Sequence, residues 1–230
     1  MNSIRPDEII EHRVLKRADI EILVCPGVPV HLVDCDLEGA DLSRLDLSGW
    51  VFERCLLKQS KLTGAGLERT QWRGCRGALA DFGSADISEA AFQSGDYNNA
   101  SFRRAKANST TFKGCKLTGA DFTEAATLGL AFEEALLIAT KLPAFSFRKS
   151  RLRRLDFSQA DLRKCDFREA VFEDCSLRDA HLVDARFEGA DLRGADLGGL
   201  KLQDARRFKG ATISKAQAGQ LLAELGLKVA

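Results

Sequence analysis

Phe187-Glu188-Gly189-Ala190-Asp191-Leu192-Arg193-Gly194-Ala195-Asp196-Leu197 returns a bulky apolar residue at every fifth position and sets a small one two places before it. Followed outward, the same step holds without loss of register from Leu32 to Leu202. Of its 35 positions, 29 are Leu or Phe, Trp72, Ile87 and Tyr97 are also large, and only Gly77, Ala107 and Thr127 break the set. Twelve of the 14 Phe fall on this lattice, so the period is not a by-product of a leucine-rich composition. On the lattice two residues ahead, Ala takes 16 of 35 positions and Cys another six.

No single regular element buries such a pattern. Five steps of an α-helix rotate a side chain by roughly 140°, which spreads the Leu and Phe around the cylinder. A strand inverts its face at every odd step, so a period of five alternates inside and outside. What remains is a coil in which each pentad forms one side and one bend, with coils stacked into a solenoid. Gly at ten of the positions two after the bulky residue suits such bends, because Gly tolerates positive φ.

Glu38-Gly39-Ala40-Asp41-Leu42-Ser43, Leu117-Thr118-Gly119-Ala120-Asp121-Phe122 and the opening stretch resemble the pentapeptide-repeat family, whose consensus is Ala-(Asp/Asn)-(Leu/Phe)-X-X. The resemblance implies an all-β solenoid, a right-handed quadrilateral β-helix of four pentads per coil. We therefore expect an N-terminal, partly helical cap at 1–30, the β-helix at 31–205, and a C-terminal helix and tail at 206–230.

An open coil leaves apolar side chains and backbone groups facing water, so each end needs a cap. Arg5-Pro6-Asp7-Glu8 followed by Ile9, Ile10, Val14 and Leu15 reads as a short helix, which Pro26, Gly27 and Pro29 then terminate. At the other end Ser214 and Gln217 have capping-box spacing, and Ala218, Leu221, Leu222 and Leu225 form an apolar stripe ending at Gly226. Leu227-Lys228-Val229 then extends as a small strand. This C-terminal order resembles the quinolone-resistance branch of the family, in which helix and tail pair two subunits. The resemblance implies a homodimer held by Ala218, Leu221, Leu222, Leu225, Leu227 and Val229.

Composition sets further bounds. The 230 residues are 45% hydrophobic and 29% charged, with no apolar run near the ~18 residues that a membrane helix needs. The N-terminus lacks a secretory pattern, so a cytoplasmic protein is expected. Six of seven Cys (35, 55, 75, 115, 165 and 175) sit on the small inward lattice, where they read as reduced packing residues. Their 20-residue ladder does not converge as zinc ligands do, and no cofactor is expected. The three His (12, 31 and 181) have no partnered nucleophile, and a narrow filled coil offers no pocket for a small-molecule substrate. Catalysis is not expected.

The same branch binds type II topoisomerases, chiefly DNA gyrase, through an acidic rod the size of DNA, and so protects the enzyme from drugs or toxins. This sequence departs from that pattern. Its net charge is +1, and residues 31–205 hold 27 acids against 25 bases. Charge is uneven, however. A basic band (Arg148, Lys149, Arg151, Arg153, Arg154, Arg163, Lys164 and Arg168) precedes an acidic stretch in which Glu173, Asp174, Asp179, Asp184, Glu188 and Asp204 are candidates for a partner surface. Three readings stay open: a DNA-mimicking modulator of a topoisomerase, an interaction scaffold for another protein, and nucleic-acid binding through the basic band with Phe145 as an exposed aromatic. Asp before the bulky residue also suits a purely structural role, bonding amides at the bends. Apolar residues between Thr127 and Phe145, at positions that elsewhere face water, suggest a bulged coil or an apolar contact patch.

Overall fold

The computed structural model of the protein describes residues 9–200, 205–224 and 226–228. The chain divides into two compact units, Met1–Phe132 and Glu133–Ala230, and each is a β-solenoid.

In the first unit the strands β1 (Ile9–Glu11), β2 (His31–Val33), β3 (Val51–Glu53), β4 (Gln71–Arg73), β5 (Ala91–Gln93) and β6 (Thr111–Lys113) stack as one parallel sheet, which β7 (Ala131–Glu133) completes. Partners from β2 onward are 20 residues apart, as in Leu32↔Phe52 and Phe52↔Trp72. The other sides of each coil pair at the same offset through single bridges such as Asp41↔Lys61 and Asp46↔Gly66. Four pentads therefore close one coil. In the second unit β8 (Arg151–Arg153) pairs with β9 (Val171–Glu173), and β10 (Cys175–Ser176) with β11 (Ala195–Asp196), at the same 20-residue offset.

Each pentad turns by the same device. The bulky residue's carbonyl accepts the N–H of the small residue three places on, as in Ala40 N to Leu37 O at 3.0 Å, which carries the chain around a corner. From residue 34 to residue 199, 33 of the 34 corner positions have positive φ, and 24 of those 33 are not glycine. A left-handed L-residue costs about 1–2 kcal/mol. Bonds between coils offset it, since corner N–H groups donate onward, as Gln59 N does to Ala78 O at 3.0 Å.

Both inward lattices fill the core. In the first unit Phe52, Trp72, Phe92, Phe112 and Phe132 form one stack with centroids 4.0–5.6 Å apart, and Phe82, Phe102 and Phe122 form another that meets it edge to face. In the second unit Phe147, Phe167 and Phe187 stack at 4.9 Å, and Phe208, which lies off the five-residue lattice, extends the column by another 4.9 Å. It reaches that place because one extra residue precedes it. The bridge Asp191↔Thr212 shows the resulting offset of 21.

Three expectations are corrected. The residues 9–15 are not helical: β1 pairs Ile10 with Leu32, Val14 bridges Asp36, and the helix α1 lies later, at Arg17–Leu23. Ile10, Leu15 and Ile20 keep the five-residue step, so a coil begins here and α1 absorbs the two extra residues of its 22-residue offset. Arg5 to Glu8 lie outside the described residues. Second, no bulge interrupts 127–145, because the turn bonds Leu130 N to Thr127 O (3.1 Å) and Thr140 N to Leu137 O (3.2 Å) keep the pentad geometry. Third, Phe145 is not an exposed aromatic. It occupies a small-residue position, points inward at 5% exposure, and lies 4.3 Å from the tilted ring of Phe147.

Candidate interaction surface

Outward side chains come from three places in each pentad: just before the bulky residue, just after it, and at the corner. Asp is the commonest residue at the first place, with 12 of its 35 positions. In twelve pentads its Oδ1 accepts the N–H two residues on, at 2.8–3.3 Å, from Asp36 to Asp196. Asp161, Asp166 and Asp191 are also gripped at both oxygens by Arg163, Arg168 and Arg193. The guanidinium hydrogen bonds hold these three carboxyls below the usual carboxylate range. These Asp serve the turns.

The basic band is largely neutralised by carboxylates of its own and neighbouring coils, and of the described acidic candidates only Glu173 pairs with it. Arg148 and Lys149 reach Glu169 at 3.2 and 3.6 Å, Arg153 reaches Glu173 at 2.8 Å, and Arg151 bonds the same carboxylate. Arg154 pairs with Glu134. Arg163 and Arg168 are held by the Asp two residues before them. Lys164 alone of the band has no ion pair among the described residues. Charges 20 to 22 residues apart in the sequence become neighbours on successive coils, so Arg151 and Arg153 meet Glu173 and Arg154 meets Glu134.

The acidic candidates do not share a side. Glu173 and Asp174 lie on and just after β9, Asp179 is at the next corner, Asp184 at the third, and Glu188 on the fourth side. Asp184 pairs with Arg207 at 3.2 Å and Glu188 with Arg186 at 3.3 Å, whereas Asp174 and Asp179 have no ion pair among the described residues. Asp204 lies outside the described residues. Such exposed pairs contribute about 0–1 kcal/mol each, but they flatten the field a partner meets.

At the C-terminal end the helix α2 spans Lys215–Glu224. Its capping box is formed: Ser214 N donates to Gln217 Oε1 at 2.7 Å and Gln217 N to Ser214 Oγ at 3.2 Å. The Gln217 amide also donates to Leu192 O at 2.7 Å and Ala195 O at 2.6 Å, which sequence reading missed because spacing alone does not reveal a second use of the side chain. Leu221 is buried on its own subunit at 6%, Ala218 is half-buried, and Leu222 and Leu227 are exposed at 38% and 55%. The helix closes with Gly226 at φ 81° and Leu227 N bonding Leu222 O, so Leu227 and Lys228 form no strand. Leu225 and Val229 lie outside the described residues.

The three His are far from one another in the sequence and occupy different settings. His12 sits at a left-handed corner after β1 and not in a helix, His31 Nε2 is 3.4 Å from Glu53 Oε2, and His181 is exposed. His181 lines an open surface cleft of about 560 Å³ with Leu182, Val183, Leu200, Arg207 and Phe208. No described helix is long and apolar enough to cross a membrane. The six lattice Cys are all buried, and burial pushes Cys115 up to about 11 and Cys165 up to about 12.

Two family models match, one described as pentapeptide repeats (9 copies) over residues 147–206 and one as pentapeptide repeats (8 copies) over residues 30–59 and 85–123. No curated protein matches by sequence. Among solved structures, a trypsin-treated variant of QnrB1, described as a plasmid-mediated fluoroquinolone resistance protein, aligns at a TM-score of 0.56 and 21% identity, over 97% of this chain and 98% of that one. Full-length QnrB1 aligns at a TM-score of 0.50 and 18% identity, over 96% of this chain and 100% of that one. At these identities the likeness is one of fold.

Proposed function

The chain belongs to the pentapeptide-repeat family, and from that premise we propose that it is a non-catalytic binding protein of the cytoplasm that modulates a type II topoisomerase, DNA gyrase first, and protects it against quinolones or toxins. The observation that carries this reading is the correspondence of fold, along nearly the whole chain, with a protein described as conferring fluoroquinolone resistance. The reading rests on fold, supported in each unit by coils whose interior is filled with side chains and whose outside is polar.

The surface refines the mode of contact. Because Glu173, Asp184 and Glu188 are already paired, binding rests on shape and on the unpaired corner carboxylates Asp174 and Asp179, not on a large negative excess. Nucleic-acid binding through the basic band is disfavoured by the same pairing, since phosphates would have to compete with Glu169 and Glu173. The proposed homodimer uses the outward side of α2, with Leu222 and Leu227, leaving Leu221 to its own coil.

The test is supercoiling by purified gyrase with and without a fluoroquinolone. The protein is expected to change supercoiling or restore it in the presence of drug, and Asp174→Lys with Asp179→Lys to weaken the effect. Indifference in both assays removes the topoisomerase reading.

A further inference from the structure

Along the second unit, carbonyls of small inward residues accept the backbone N–H of a residue one coil later. Ala160 O takes His181 N and Cys165 O takes Arg186 N, both at 2.9 Å. After the one-residue slip the offset grows by one, and Ala190 O takes Thr212 N at 2.8 Å. Carried forward by the same 22 residues, the donor due at Ala195 O is residue 217. By then the chain has turned into α2, and the backbone N–H of Gln217 is engaged by Ser214 Oγ. Residue 217 still supplies the bond, through its side chain: Nε2 lies 2.6 Å from Ala195 O and 2.7 Å from Leu192 O.

An amide side chain thus stands where the next coil's backbone amide would stand. It is 7% exposed, its oxygen is fixed by Ser214 N, and Leu221 packs one turn further along the same side of the helix. A buried carbonyl left without a donor is costly, and an open edge of a parallel ladder is a template for further strands. We infer that Gln217 is the terminator of the solenoid: α2 is a stopper, pinned by this one amide, that keeps the last coil from pairing with a second copy of this chain. The expected occupant of the uncovered end is another copy, because the acceptors there have the spacing of this chain's own coils.

Two variants of the full chain test this. In Gln217→Glu a carboxylate that cannot donate faces two carbonyls, and in Gln217→Met the shape is kept without any donor. Both are expected to speed amide exchange across α2 about tenfold or more while the coils stay protected, and to produce species larger than the wild-type form that grow with concentration in sedimentation velocity. Protection of α2 unchanged in both variants overturns the inference. So does release of α2 with the wild-type size distribution at every concentration, or loss of the coils in both variants, because a stopper at the end should leave the inner coils folded.

Discussion

Tyr97 accounts for two irregularities at once. A Cβ on Gly77 would lie 2.8 Å from Tyr97 Cδ1, and one on Gly95 would lie 2.5 Å from Cε2, so the ring fills the space that both glycines leave. The missing bulky residue at position 77 and the Gly at small position 95 are the complement of one large side chain. The cost is a fully buried hydroxyl with no hydrogen-bond partner among the described residues, whose ionisation burial makes still harder. Gly77→Leu, which would complete the lattice on paper, is expected to destabilise the fold by about 1–3 kcal/mol through overpacking. Adding Tyr97→Leu should recover most of that loss in urea unfolding, and simple additivity of the two costs would show that the ring is not what fills position 77.

At the scale of the element, the pentad corner and the C-terminal helix each divide their polar work between side chain and backbone. The Asp of the repeat bonds the amide two residues on, so its abundance follows from the turn, and discounting those twelve leaves 15 acids against 25 bases in residues 31–205, with no acidic excess for a partner. In α2 the two sides have separate tasks: Gln217 and Leu221 face the helix's own coil, while Leu222 turns outward. The proposed dimer should therefore depend on Leu222. Light scattering is expected to give twice the chain mass for the wild type and a folded monomer for Leu222→Asp, and a dimer that survives the substitution would take α2 out of the interface.

For the whole molecule, stability should depend on acid in a defined direction. Asp161, Asp166 and Asp191 have depressed carboxyl pKa values through the Arg two residues on, so their contribution is fully present above the unfolded carboxylate pKa of about 3.9. It is lost as pH falls through the folded values, which lie lower. Denaturation midpoints are expected to stay flat from neutral pH down to about 5 and then fall below about 4. Arg163→Gln, Arg168→Gln and Arg193→Gln together should shrink the part of that fall due to these Asp, and an unchanged acid limb in the triple variant would assign it to other carboxylates.

The sequence alone determined the solenoid, because a strict five-residue return of Leu and Phe suits neither a helix nor a strand, and a one-dimensional period is enough to define a stack of equal coils. It also showed that Ser214 and Gln217 cap a helix, which is local chemistry. It misjudged what depends on neighbours one coil away. The coil begun by Ile10, Leu15 and Ile20 was hidden by a two-residue insertion, Phe208 by a one-residue slip, and Phe145 by its unusual size at a small position. The basic band looked like a free surface because reading along the chain separates Arg148 and Arg154 from the carboxylates of Glu169 and Glu134 that folding sets beside them. Only the tertiary structure decided that Arg151 and Arg153 meet Glu173, and that Gln217 closes the last coil, since both depend on which residues lie one turn above the other.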